Sequence, residues 1–166
     1  MQGLAALRWF FYFRFERPAL TRRSCQTLGV MNSDRILTVN EYYDGPRLGI
    51  AEVHGVPHIY EAEFDHNTDE YGDTYFVSPV DPELLALVLE DWEIWLRWQA
   101  AHERGDVTLA SHPALPAERQ RHDALKSAIG NRLKSDPVNR SYLKAKFSYS
   151  EPGSAWRGTY VEWQSQ

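Results

Sequence analysis

Residues 81–105 read DPELLALVLEDWEIWLRWQAAHERG, and this stretch predicts one long amphipathic helix with both ends written into it. Asp81 can cap the free amides of the first turn, Pro82 suits the first helical position because its φ is already fixed, and Glu83 lies where the helix dipole favours negative charge. Gly105 supplies a left-handed stop. Leu85, Val88, Leu89, Trp92, Trp95 and Leu96 recur at spacings of three and four, whereas Glu90, Glu93 and Arg97 fall towards the other side. Leu84, Leu87, Ile94 and Trp98 widen the stripe. A helix so broadly apolar is buried along most of its length, so the rest of the chain is expected to form a layer that covers it. The closely spaced indoles read as core packing, each needing one hydrogen-bond acceptor, rather than as a ligand box.

Before this helix the chain runs at period two, with strands expected near residues 35–43, 47–53, 56–64 and 73–78. Asp44-Gly45 and His54-Gly55 are candidates for tight turns that need positive φ, with Pro46 loosening the first. Tight turns pair Val53 with Val56, Ala51 with His58, Gly49 with Tyr60, Glu41 with Leu48 and Val39 with Ile50. One sheet face then carries Leu37, Val39, Leu48, Ile50 and Ile59, the set to lay against the helix. The other carries Thr38, Asn40, Tyr42, Arg47, His58 and Tyr60. After the helix, a second one is expected from about Pro116 to Lys134 with Leu125, Ala128, Ile129 and Leu133 as its apolar edge. Clean alternation returns in SYLKAKFSY, residues 141–149, with Leu143, Ala145, Phe147 and Tyr149 inward. A turn at Glu151-Pro152-Gly153-Ser154 leads to a last strand in which Val161 and Trp163 share a side. The fold class is therefore α+β: an antiparallel sheet of about six strands, four before the helices and two after, with two helices packed on one face.

At 166 residues the chain has the size of one domain. The single cysteine, Cys25, can form no internal disulfide and points to a reducing compartment. No apolar run approaches the length of a membrane span. The net charge of −5 is uneven, because five arginines against one glutamate give residues 1–30 a balance of +4 and leave −9 for residues 31–166. That excess of acid argues against a nucleic-acid backbone as partner and favours basic proteins or cations. The first thirty residues cluster Trp9, Phe10, Phe11, Phe13 and Phe15 among arginines without helix or strand period, and Arg8 and Arg14 interrupt the only candidate signal core. They are expected to be a dispensable or mis-assigned extension, with residues 31–166 as one α+β domain.

Chemistry-bearing patterns are sparse. Asp65-His66-Asn67-Thr68-Asp69 begins like a calcium loop, but Glu70 stands where glycine is needed and Phe76 where a bidentate glutamate belongs, so a solvated hairpin tip is expected. Glu41, Glu61 and Glu63 could gather at one end of the inner face, as acid–base chemistry or a divalent ion would require; carboxylates solvated beyond the helix end are the simpler account. His102, His112 and His122 lack ligand spacing and read as surface residues. There is no glycine-rich phosphate loop, nucleophile elbow or zinc-protease pattern. No catalytic residue, metal ligand or cofactor is assigned.

The run YYDGPRLGIAEVHGVPHIYEAEFD (42–65), followed by DTYFVSPVDPE and LEDWEIW, resembles small uncharacterised bacterial proteins with YYDGPR, GxPHxYE and a Trp-rich helix. The resemblance covers about residues 36–125 and implies a bacterial cytoplasmic protein; it names no activity. The leading functional expectation is a non-catalytic binding or protein-interaction module, of regulatory or immunity type, without nucleic acid or membrane as partner. The alternative is a small divalent-metal-dependent, hydrolase-like enzyme using Glu41, Glu61 and Glu63. For the module, the expected binding residues are Asn40, Tyr42, Arg47, His58 and Tyr60, an aromatic and basic cluster on the second sheet face. That face is either open for recognition or covered by the C-terminal segment or second helix as another small core. A chain beginning at Met31 is expected to unfold at nearly the temperature of the full chain. In thermal melts, a drop beyond about 5 °C would show instead that the aromatic run belongs to the core.

Overall fold

Turn chemistry and strand alternation from residue 34 onward produce a sheet that curls until its first and last strands meet. The computed structural model describes residues 33–150 and 158–165. The expectations placed on residues 1–30 and on the turn at 151–154 lie outside these described residues. The elements run β1 (Asp34–Tyr42), β2 (Pro46–Val53), β3 (Val56–Asp65), β4 (Glu70–Pro79), α1 (Pro82–Glu103), α2 (Arg119–Ile129), β5 (Ser141–Tyr149) and β6 (Thr159–Ser165). The fold is α+β with an antiparallel sheet of six strands. Each strand pairs with the next, and β1 also pairs with β6 through Asp34↔Val161 and Arg35↔Tyr160, so the sheet closes as a barrel.

Closure explains the two sheet faces. Ile50 and Ile59 are buried with Leu84 and Val88 of α1 and Ile129 of α2, and Leu37 and Leu48 border that cluster. Val39 packs with Trp92 and Leu96. The face expected to meet the helix is thus the outer wall of the barrel. The opposite face is the lumen, where Ala51, Tyr60, Ala62, Tyr75, Val77 and Val161 form a buried cluster bordered by Phe147 and Trp163. Tyr75 meets Tyr60, Phe147 and Trp163 at centroid distances of 6.1, 5.5 and 6.2 Å, all close to edge-on. Such contacts suit rings with negative faces and positive edges. Their polar tips end on backbone carbonyls: Tyr60 Oη donates to Thr38 O at 3.0 Å, Tyr75 Oη to Pro46 O at 2.9 Å and Trp163 Nε1 to Glu52 O at 2.7 Å.

α1 begins and ends as its sequence specifies. The amide of Leu84 donates to Asp81 Oδ1 at 3.0 Å, and Gly105, at φ +78°, lets its own amide and that of Asp106 reach back to the carbonyls of His102 and Ala101. That paired closure is the Schellman arrangement. α2 is shorter than expected. Gly130, at φ 50°, stops it at Ile129, and Leu133 reaches the core from an irregular segment. Ala128 is exposed rather than part of an apolar edge.

The pairings of Val53, Ala51, Gly49 and Glu41 are as the turns dictate, with His54 and Gly55 both at positive φ. Val39 is the exception. It pairs with Gly49 while Thr38 takes Ile50, because register shifts interrupt β1 on both sides. At that irregularity Thr38 Oγ1 accepts from the Ile50 amide at 2.9 Å. A Cβ on Gly49 would strike the Thr38 carbonyl oxygen and stand 2.7 Å from Tyr60 Oη. Gly49→Ala is therefore expected to destabilise the protein by on the order of 3 kcal/mol, measured by urea unfolding, because a backbone atom cannot swing aside as a side chain would. A loss below about 1 kcal/mol would show that β1 and β2 separate there at little cost.

Candidate functional site

Antiparallel connection brings the β1–β2 loop (residues 43–45) and the β3–β4 loop (66–69) to the same end of the barrel, and the aromatic residues at these strand ends meet there. The Tyr43 ring lies 6.4 Å from that of Tyr71, Tyr71 lies 4.9 Å from Phe64, and Phe64 lies 5.1 Å from His66. Arg47 sits on this group with its guanidinium 4.5 Å from the Tyr71 centroid. Its Nε donates to Tyr43 O at 2.6 Å and its Nη2 to Asp44 O at 3.1 Å, so the planar head is pinned by the turn that it closes. Tyr43 remains 54% exposed. Tyr149, at the end of β5, is exposed too, and its hydroxyl is pushed up to about 12, by loss of water first and by Tyr42 next.

Acids ring this end. The Asp65 carboxylate accepts from the Asn67 amide at 2.8 Å and is held below the usual range chiefly by that bond. Asp73 pairs with Lys144 at 3.0 Å. Asp44, Asp69 and Glu70 have no ion-pair partner among the described residues. An exposed Tyr43, two half-buried rings, one anchored arginine and carboxylates without an ion-pair partner among the described residues thus meet at this end.

The five residues expected to bind are dispersed by closure of the barrel. Tyr42 and Arg47 stand at the aromatic end. Tyr60 has no exposed surface and belongs to the lumen, where burial drives its hydroxyl far above the ordinary tyrosine value. Asn40 is half-buried along β1, its Oδ1 accepting from Thr38 Oγ1 at 2.6 Å. His58 lies near the start of β3, its Nδ1 2.7 Å from Val56 O, at the other end of the barrel. The C-terminal strands cover the face that carries Tyr60, which is the second of the two arrangements open in the sequence. Tyr43, Phe64 and Tyr71 were not singled out from sequence; the signal was available in their positions at strand ends next to the two turns.

Glu41 and Glu61 flank Leu48 on the outer wall, paired to it from β1 and β3. The Glu41 carboxyl is raised, by loss of water first and by Glu61 second, with Lys126 opposing. Glu61 is engaged, accepting from the Ser135 amide at 2.9 Å and from Ser135 Oγ at 2.6 Å. Glu63 falls at the register shift between Ala62 and Phe64. Among the described residues no group of three or more His, Cys, Asp and Glu side chains is arranged to hold a metal ion.

The three histidines expected at the surface, His102, His112 and His122, are buried or half-buried. His122 is buried with Asp91, Nδ1 to Oδ1 at 2.6 Å, clasping α2 to α1, and His102 and His112 are half-buried against Trp98. Asp91 lies at the i+3 position from Val88, a place on the apolar stripe that marks it for burial. A shallow cavity of about 660 Å³ beside this region is lined by Thr108, Ser111, Ala114 and Arg119 among others and includes neither Glu41 nor Glu61. No helix among the described residues is long and apolar enough to cross a membrane. Compared with protein-family models, curated proteins and solved structures, the chain matches none.

Lumen and end residues are expected to respond differently to truncation. Tyr60→Ala should cost about 3–5 kcal/mol in chemical unfolding, as for other large buried side chains, and Arg47→Ala about 1 kcal/mol. Equal losses at both positions would contradict this division of the barrel.

Proposed function

We propose that this protein is a non-catalytic protein-interaction module that uses the aromatic end of its barrel to take a cationic segment of a partner protein. The observation that carries this reading is the Tyr43–Tyr71–Phe64 group with Arg47 pinned over it inside a rim of unpaired acids. Rings held by neighbouring rings offer contact area at small entropic cost, which is why tyrosine and arginine dominate interface hot spots. The rim adds steering. Asp44, Asp69 and Glu70 attract lysine or arginine side chains, in keeping with the acidic balance of residues 31–166, and they repel a phosphate backbone. Of the five residues expected to bind, this reading retains Tyr42 and Arg47, which stand at the aromatic end, and leaves out Asn40, His58 and the buried Tyr60. A bacterial cytoplasmic setting, regulatory or immunity-type, belongs to the same proposal.

A second reading is a divalent-metal-dependent, hydrolase-like enzyme using Glu41 and Glu61 with Glu63, and the raised Glu41 carboxyl beside Glu61 favours it. The engagement of Glu61 by Ser135 weighs the other way.

Co-purification from the native cell, with mass spectrometry, tests both readings when wild type is run beside Tyr43→Ser and Asp44→Asn/Glu70→Gln variants. The expected result is a basic protein retained by wild type, reduced about tenfold or more by either variant, and weakened by added salt, because rim charges act through screened attraction. Equal retention by all three proteins would refute the proposed surface. Tryptophan fluorescence that responds to Mg²⁺ or Mn²⁺ in wild type and not in Glu41→Gln would instead support the enzyme.

A further inference from the structure

The segment between the helices, residues 105–118, contains only two short 3-10 turns, and Arg119 of α2 holds it through a single nitrogen. Arg119 Nη2 donates to the carbonyls of Ser111, His112 and Ala114 at 2.5, 2.9 and 3.4 Å. Among the described residues, its Nε and Nη1 have no hydrogen-bond partner, and no carboxylate lies within ion-pair reach of it. Asp106 is paired with Arg104 at 2.9 Å and Glu118 with Arg97 at 2.6 Å, while Asp123, one helical turn on, makes no ion pair with Arg119. Carbonyl dipoles orient the guanidinium without cancelling its charge, and a half-buried cation without a counter-ion is costly. The potential beside it is positive: His112 is held below the ordinary histidine value by burial first and by the Arg119 charge second.

Arg119 also lines the shallow cavity of about 660 Å³, whose walls include the apolar side chains of Val107, Ala110, Ala114 and Pro116. Small-ligand sites combine such a volume, roughly 300–1,000 Å³, with mostly apolar walls and a few fixed polar groups. We propose that this cavity binds a small monocarboxylate with a short apolar body, its carboxylate on the N–H donors that Arg119 leaves unused and its body against Ala110, Ala114 and Pro116. The planar guanidinium matches a carboxylate, and binding supplies the counter-ion that the fold withholds. A single negative charge suits the site better than two, because one cation faces the ligand and Asp106 also lines the cavity. The site shares no residue with the aromatic end. Ser111 belongs to its lining and accepts through Oγ from Trp98 Nε1 at 3.0 Å, so the buried indole N–H reports on occupancy.

The test titrates the full chain by NMR with benzoate, its neutral counterpart benzamide and inorganic phosphate, following the backbone amides and the Trp98 indole N–H. Benzoate is expected to shift the amides of residues 106–119 and the indole N–H saturably, with a Kd of about 1 mM or tighter. Benzamide and phosphate should each bind about tenfold more weakly or not at all, since one lacks the charge and the other the apolar body. Arg119→Lys keeps a cation without the planar fork and should weaken benzoate by about threefold or more. Ala110→Glu changes an exposed wall residue outside the carbonyl tether; it should leave the melting temperature within about 2 °C and weaken benzoate by about tenfold through like-charge repulsion. No saturable shift at residues 106–119 by about 20 mM benzoate, equal affinity for benzamide or phosphate, or undiminished binding in Ala110→Glu would overturn the site.

Discussion

The hydroxyl of Tyr60 reaches over β2 to the carbonyl of Thr38, and that bond depends on the bare backbone of Gly49 lying between them. A large ring buried in a barrel contributes on the order of 2 kcal/mol or more through its apolar area, but its hydroxyl would forfeit much of this if left without an acceptor. The register shift in β1 exposes the acceptor. It turns Thr38 so that its carbonyl faces the tyrosine while its side-chain oxygen repairs the ladder at the Ile50 amide. Bulges of this kind sharpen strand twist, which a short sheet needs in order to close. One local irregularity thereby serves curvature and the lumen together.

Around that barrel, α1 acts as an outer strut with two neighbours. Its Leu84 and Val88 lie on the β2–β3 wall, Trp92 and Leu96 on Val39, and Ile94 turns to Leu125 of α2 and Ala114 of the connecting segment. Apolar residues nearly all round the helix are what a position between a sheet and a second helix requires. The buried Asp91–His122 pair sits within this second contact. Such a pair adds geometric definition more than stability, since desolvation offsets much of its attraction.

The candidate site was legible only in part. Tyr42 and Arg47 could be found because β1 and β2 are joined by a short turn, so their positions near it follow from register. Tyr43, Phe64 and Tyr71 gather through two different hairpins, and no local spacing reports that the two loops share one end. His58 and Tyr60 were grouped with the site because alternation places them on the same face as Tyr42 and Arg47; alternation does not say that the face will be rolled inward. The histidines were hidden for a similar reason. His112 and His122 come from a loop and a short helix, and only the packing of α1 against both brings them to Trp98 and Asp91.

By itself the sequence determined the local elements: the capped and stopped α1, the turn at His54-Gly55, the pairings that follow from it, and the apolar set of β1–β3 that meets α1. Each rests on interactions within a few residues or across one hairpin, where period and turn chemistry leave little choice. Tertiary structure decided the rest. Closure by the β1–β6 pairs, the burial of Tyr60 and the assembly of the aromatic end all depend on contacts between segments far apart in the chain. Strand alternation specifies which residues share a face. Whether that face becomes a surface or a lumen is set by the summed twist of six strands, a quantity carried by no single stretch of sequence.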